Sequence, residues 1–280
     1  MLNNVKTVGL MALMTILLMF FGGILGGQAG AIFALVMAAV MNIGSYWFSD
    51  KIVLRMYKGH EVTSGVLFDV VQELCQRNQL VMPKVFMIPE TTPNAFATGR
   101  NPQHAVVAAT EGIMGILSRD ELMGVMAHEM AHVKHRDILI GSIAATIAGA
   151  ISYMATMAQW AMIFGGLGGN DDEEGGGNFF VMIVTMICAP IAAMLVQMAV
   201  SRSREYAADR GGAVLCGNPH YLASALRKLE SSNRQRPMHD VNDATAHMFI
   251  VNPLSGKGLQ SMFSTHPPMD ERVRRLEEMA

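Results

Sequence analysis

The chain has 280 residues, of which 51% are hydrophobic and only 16% charged. Soluble domains usually carry about a quarter charged residues, so an ordinary soluble composition is excluded. A formal net charge of −2 gives no electrostatic footprint for a nucleic-acid partner. Residues 7–49 contain no Asp, Glu, Lys, Arg or His. A bilayer core is about 30 Å thick and needs roughly 20 apolar residues per helical crossing. The run therefore fits two crossings, near 5–22 and 30–48, broken at "GGILGGQAG". A cleaved signal peptide is the rival reading of residues 1–22. No small-residue cleavage site precedes a polar mature start there, because another apolar run follows. Residues 1–49 are expected to form an N-terminal transmembrane hairpin.

Residues 50–137 are polar by comparison. "VTSGVLFDVVQELCQ" spaces Val62, Val66, Val70 and Leu74 at helical intervals. "KVFMI", "AFATG" and "HAVVAA" follow as short extended stretches separated by turn residues. "SRDELMGVMAHEMAHVKHRD" then reads as a helix started by a Ser118/Glu121 capping box. Two further charge-free runs, 138–170 and 175–201, fit crossings near 138–164 and 179–200. Pro190 would kink the second of these rather than forbid it. Buried core helices of a large soluble domain are the alternative, but both runs exceed the roughly 18-residue spanning threshold. Residues 138–200 thus form a second hairpin. In the polar segment 201–280, residues 203–230 look helical, interrupted by "GG" and "GNP", and a short helix follows Pro267 and Pro268. The segments 50–137 and 201–280 are expected to co-fold as a small mixed sheet against helices, an α+β arrangement. No internal repeat appears.

All 21 basic residues lie outside the loops "GGILGGQAG" and "GGLGGNDDEEGGGN". The positive-inside rule then places both termini and both polar segments in the cytoplasm. The acidic "DDEE" patch, set in glycines, reads as a solvated loop on the opposite side. Cys75, Cys188 and Cys216 show no C-x-x-C spacing, and reduced thiols are expected in that compartment. The 25 methionines concentrate in the apolar runs, where a flexible apolar filler suits lipid-facing or core positions.

The chemistry concentrates in "HEMAH". On a helix, His128 and His132 differ by about 40° in azimuth and project from one face. Two such imidazoles can each give a nitrogen to zinc at about 2.0–2.1 Å. Glu129, one step round, is placed to act as general base on water at the metal, the H-E-x-x-H arrangement. Catalytic zinc wants a third protein ligand and one open position. His135 is two turns beyond His128, too far along the axis to share the ion; His220, His239, His247 and His266 remain formal candidates. Glu205, in "SRSREYAADRGG", is better placed, because the second hairpin returns the chain to the membrane face where "HEMAH" ends. Asp209, one turn beyond, could orient a ligating histidine. Taken alone, Glu205 and Asp209 would be ion-pair partners of Arg202, Arg204 and Arg210.

"PNAFATG", "HEMAH", "SREYAAD" and "THPPMDER", in this order and set among four apolar runs, resemble the HtpX family of bacterial membrane zinc metalloproteases. That family is similar to the CAAX prenyl proteases in its zinc-site arrangement. The likeness covers nearly the whole chain and implies an α+β zincin-like metalloprotease domain combined with four transmembrane helices. It implies one zinc ion per chain bound by His128, His132 and Glu205, with Glu129 as catalytic base. It also implies an inner-membrane location, a cytoplasmic active site and a role in quality control, cutting unfolded or damaged membrane proteins. Asn94 matches a family position thought to hold substrate near the zinc; alone it is a turn residue after proline. His266 matches a position expected to touch the substrate carbonyl, where a donor stabilises the developing oxyanion; alone it is loop punctuation. "AFATG" offers an edge strand for an extended substrate. The rival from another class is a non-catalytic membrane scaffold with a structural metal site. Such sites usually close with a fourth ligand, often cysteine, and no cysteine lies near either motif.

Overall fold

The computed structural model describes residues 2–143, 202–235, 250 and 267–280. The crossing expected near 179–200, most of that near 138–164, the "DDEE" loop and His266 lie outside these residues.

Helix α1, Leu2–Met56, opens the chain but is not straight. Gly27 has φ 56, a left-handed conformation that glycine adopts without strain, and there the chain doubles back. On a straight helix Met11 and Asn42 would stand about 46 Å apart. Instead Asn42 Nδ2 donates to the Met11 carbonyl at 3.3 Å and to Thr15 Oγ1 at 3.0 Å. Close to the bend a Cβ on Gly30 would collide with the Gly22 carbonyl, so the arms touch backbone to backbone. The reversal falls within "GGILGGQAG". Among the described residues, Gly27–Phe48 is the segment long and apolar enough to cross a membrane; the first arm carries a shorter apolar stretch, Thr7–Phe20. Ile16, Phe20, Phe33, Val36 and Val40 are exposed along the arms. Where the second arm ends, the Trp47 ring meets Tyr46 edge-on at 5.6 Å, and the Arg100 guanidinium lies 4.5 Å from it.

A four-stranded mixed sheet follows: β1 (His60–Glu61), β2 (Lys84–Ile88), β3 (Ala95–Gly99) and β4 (Ala105–Thr110), in the order β1-β2-β4-β3. β2 and β4 are parallel, Lys84 opposite Val106 through Ile88 opposite Thr110. The outer pairs are antiparallel, and β3 pairs Ala95 with Ala109 through Gly99 with Ala105. Side chains alternate between two buried faces. Ile88, Phe96 and Ala108 pack on Val53 and Tyr57 at the base of α1, while Val85, Ala95, Val107 and Ala109 join the helical core. β4, with both faces covered, is buried along its whole length.

The helical layer comprises α2 (Val66–Asn78), α3 (Glu111–Ile116), α4 (Arg119–His135), α5 (Arg202–Cys216), α6 (Pro219–Gln235) and α7 (Met269–Glu277). α4 is central and buried continuously from Glu121 to Ala131, because α2, α5, α6 and the sheet enclose it. Its start is a reciprocal capping box: Glu121 N donates to Ser118 Oγ at 3.3 Å and Ser118 N to Glu121 Oε2 at 2.8 Å. Residues from both polar segments share one core, including Met126, Met130, Leu222, Leu226 and Leu276.

The structure corrects one expectation for 203–230. "GG" at 211–212 does not interrupt the helix; α5 runs through it and breaks only at Gly217, whose φ is 79. These glycines serve close packing instead. A Cβ on Gly212 would stand 2.8 Å from His128 N, and one on Gly124 would stand 2.5 Å from Leu222 N. α4 therefore meets both α5 and α6 at nearly backbone contact.

Candidate metal centre

Successive turns of α4 present His128 and His132 with their Nε2 atoms 3.2 Å apart. Their rings stand at 89° to each other with centroids 4.8 Å apart. The close crossing at Gly212 brings the first turn of α5 against them. Glu205 Oε2 lies 3.7 Å from His128 Nε2 and Oε1 lies 3.6 Å from His132 Nε2. One ligand atom from each residue falls within a group spanning 4.8 Å. Bonds of about 2.0–2.1 Å in a tetrahedron separate ligand atoms by about 3.4 Å, so two imidazoles and a carboxylate at these spacings fit zinc. Among the described residues the group has three donors, one fewer than a tetrahedral ion takes.

Carboxylates sit behind both imidazoles. Asp137 Oδ2 is 3.2 Å from His132 Nδ1. Asp209 Oδ1 is 3.0 Å from His128 Nδ1, although off the N–H line of an ideal hydrogen bond. Asp209 is itself held by the fully buried Arg272 of α7, whose Nε donates to Oδ2 at 2.9 Å and Nη2 to Oδ1 at 2.7 Å. Arg272 Nη1 donates to the Ile250 carbonyl at 3.0 Å, and Ile250 N donates to Asn94 Oδ1 at 3.2 Å. A continuous string thus links Asn94 to His128. Arg272 Nη2 also lies 3.9 Å from Glu205 Oε2, putting positive charge beside the ligand carboxylate.

Electrostatics follow from this burial. Glu129 is 5% exposed, and desolvation pushes its carboxyl up to about 7. Glu205 adds to that rise, while His132, Arg272 and the Ala97 amide of β3 oppose it. Burial disfavours protonated His132, yet Asp137, Glu205 and Glu129 outweigh it and raise the imidazole to about 9. For His128, burial lowers the value despite Asp209. Asp209 is desolvated too, but Arg272 holds its carboxyl at about 2.

The structure brings together His128, Glu129, His132, Glu205 and Asp209. Asn94 is near the group through Ile250 and is 2% exposed, its side-chain oxygen already engaged. His135 is exposed on another face, and His220 is exposed at the start of α6. Two residues were missed by sequence reasoning. Asp137 stood five places after His132, a spacing that a helix end can fold onto the ring. The arginine paired with Asp209 is Arg272, not the neighbouring Arg202, Arg204 or Arg210, because α7 docks across α5.

The profile of Peptidase family M48 matches residues 62–280. The chain is 71% identical over 278 residues to the Protease HtpX homolog of Syntrophotalea carbinolica, covering 99% of each. It is 58% identical to the Protease HtpX homolog of Thermodesulfovibrio yellowstonii, over 100% of this chain and 99% of that one. With the homolog of Desulfatibacillum aliphaticivorans identity is 57%, over 98% of this chain and 89% of that one. Among solved structures, S. mikatae Ste24p matches with a TM-score of 0.53 at 18% identity. That match covers 98% of this chain and 65% of the Ste24p chain, and at such identity it speaks to the fold alone.

Proposed function

Because the chain belongs to peptidase family M48, we infer that His128, His132 and Glu205 hold one zinc ion and that Glu129 is the general base of peptide hydrolysis. The protein is a membrane metalloprotease, as its likeness to the HtpX homologues indicates. A zinc ion in this centre supplies Lewis acidity toward water and the peptide carbonyl. Glu129, buried beside the three ligands, accepts a proton from the attacking water and returns it to the leaving nitrogen. Asp137 and Asp209 fix the tautomers of His132 and His128 so that Nε2 of each faces the centre. The edge strand β3 accepts an extended substrate by backbone pairing, which favours tolerance of side chains. Asn94 contacts that backbone through Nδ2, and His266 donates to the substrate carbonyl.

The reading extends to four transmembrane helices, an inner-membrane location with the centre and both termini cytoplasmic, and unfolded or damaged membrane proteins as substrates. The observation that carries it is the approach of two Nε2 atoms and the Glu205 carboxylate to within 3.7 Å beside a buried Glu129. The test is Glu129→Gln. The variant is expected to keep stoichiometric zinc by metal analysis while cleavage of an unfolded casein-like chain falls at least about 100-fold. Undiminished chelator-sensitive cleavage by that variant would remove Glu129 from the role of base. Zinc bound without any chelator-sensitive cleavage by the wild type would favour the scaffold.

A further inference from the structure

We propose that Arg272 is a positioning residue for the substrate as well as for the metal: through Ile250 it fixes the Asn94 carboxamide so that Nδ2 is the end offered to the substrate backbone. The proposal rests on the protease reading above and on the Asn94 contact named there, and it assigns the residue that sets that contact.

Asn94 stands immediately before β3, and its main chain is locked. Its amide donates to Thr110 Oγ1 at 2.9 Å, and its carbonyl accepts from Thr110 N at 2.9 Å. What remains to be set is which end of the carboxamide faces which way. Ile250 N settles that. A backbone N–H can only donate, so the atom 3.2 Å from it is Oδ1, and Nδ2 is turned to the other side. Ala97, three residues further on, gives its amide to Glu129. Asn94 thus lies about 10 Å along the strand from the residue that meets the base.

Ile250 is held from its other side by Arg272. Nη1 donates to the Ile250 carbonyl at 3.0 Å, while Nε and Nη2 grip Asp209 at 2.9 and 2.7 Å. A guanidinium can do both because its donors fan out in one rigid plane. A lysine carries its donors on one atom, so it cannot sit on both Asp209 oxygens and the carbonyl at once; the carboxylate wins on charge. Ile250 is 3% exposed, so its carbonyl without that donor is an unsatisfied buried group, and the backbone turns to recover a partner. The Ile250 amide turns with it, and Asn94 loses the donor that orients it. Thr110 does not compensate, since it holds the Asn94 main chain and not the carboxamide. Arg272 therefore acts along two arms, through Asp209 on the metal and through Ile250 on the hold on substrate.

The test uses the full-length zinc enzyme in detergent micelles, with labelled unfolded casein as substrate. Arg272→Lys keeps a cation beside Asp209. It is expected to raise KM about 3- to 10-fold, the loss of one backbone hydrogen bond, with kcat within about twofold and zinc still stoichiometric by metal analysis. In an Asn94→Ala background, where KM is already raised by a similar factor, Arg272→Lys should add nothing. Ile250→Ala trims the core but keeps both backbone groups, so it should lower the urea midpoint and leave KM unchanged. If Arg272→Lys fails to fold, the α-hydroxy acid of isoleucine placed at position 250 by nonsense suppression removes only the N–H to Asn94. That ester enzyme should show the same rise in KM with zinc affinity unchanged. A KM rise from Arg272→Lys that is equally large in the Asn94→Ala background would overturn the proposal and leave the protease reading intact. So would an unchanged KM in the Arg272→Lys or the ester enzyme. Absence of any chelator-sensitive casein cleavage by the wild type would overturn both.

Discussion

The residue with the most consequence beyond the ligands is Arg272. Its guanidinium is fully buried and bidentate on Asp209, so it keeps that carboxylate ionised behind His128. Removing one member of a buried ion pair leaves an uncompensated charge, which costs about 3–5 kcal/mol. Arg272→Met is therefore expected to lower stability by that amount in urea unfolding. Asp209→Asn should weaken zinc binding about 10- to 100-fold in chelator competition, since it loses the charge that orients His128. The double substitution should cost less than the sum, because each single change strands the other partner. Legibility at this scale followed sequence distance. His128, Glu129 and His132 declared themselves because one helix fixes their mutual geometry. Glu205 needed the hairpin argument to bridge 73 positions. Arg272 stayed hidden because it stands beside Arg274 and Arg275, and only the docking of α7 selects which arginine turns inward.

At the scale of elements, α4 carries the chemistry and is stabilised from its first turn. Burial disfavours ionised Glu121, but bonds from Lys228, Ser224 and Ser118 more than offset this and hold its carboxyl at about 2. A depressed carboxylate contributes stability that is complete above its ordinary value of 4.5 and is lost as pH falls toward 2. The stability gap between wild type and Glu121→Gln should thus be largest near neutral pH and shrink between pH 4.5 and 2, read as urea midpoints. The α4–α5 crossing supplies a second prediction. Gly212→Ala forces a methyl against the His128 backbone and should cost about 1–3 kcal/mol. It should also weaken zinc binding, because Glu205 moves with α5. Gly211→Ala, whose Cβ meets the Ala131 methyl at 3.0 Å rather than backbone, should be milder on both measures. The three longer strands were legible as short apolar runs between turns. β1 and α3 were not, at two and six residues, because neither is long enough to show a period. The glycine pair looked like a break because local propensity says nothing about a neighbouring helix that needs the room.

Across the whole molecule, the two polar segments complete one another. α4 buries its apolar surface against α5 and α6, which lie beyond the charge-free runs 138–170 and 175–201 in sequence. Residues 50–137 expressed alone are expected to aggregate, with soluble yield and zinc binding recovered on co-expression with residues 201–280. A well-folded isolated first segment would contradict the shared core. The doubling back of α1 at Gly27 was readable from the charge-free run and its glycines, whereas its packing against Ile140 and Ile143 depends on tertiary contacts that no pattern encodes. The order in which the centre is assembled has a consequence for biogenesis. The imidazoles emerge from the ribosome first, Glu205 later, and the arginine that steadies Asp209 later still. A copy that still lacks α7 lacks the guanidinium that holds Asp209 behind His128, so its centre is expected to hold zinc about 10- to 100-fold more weakly than the finished chain does.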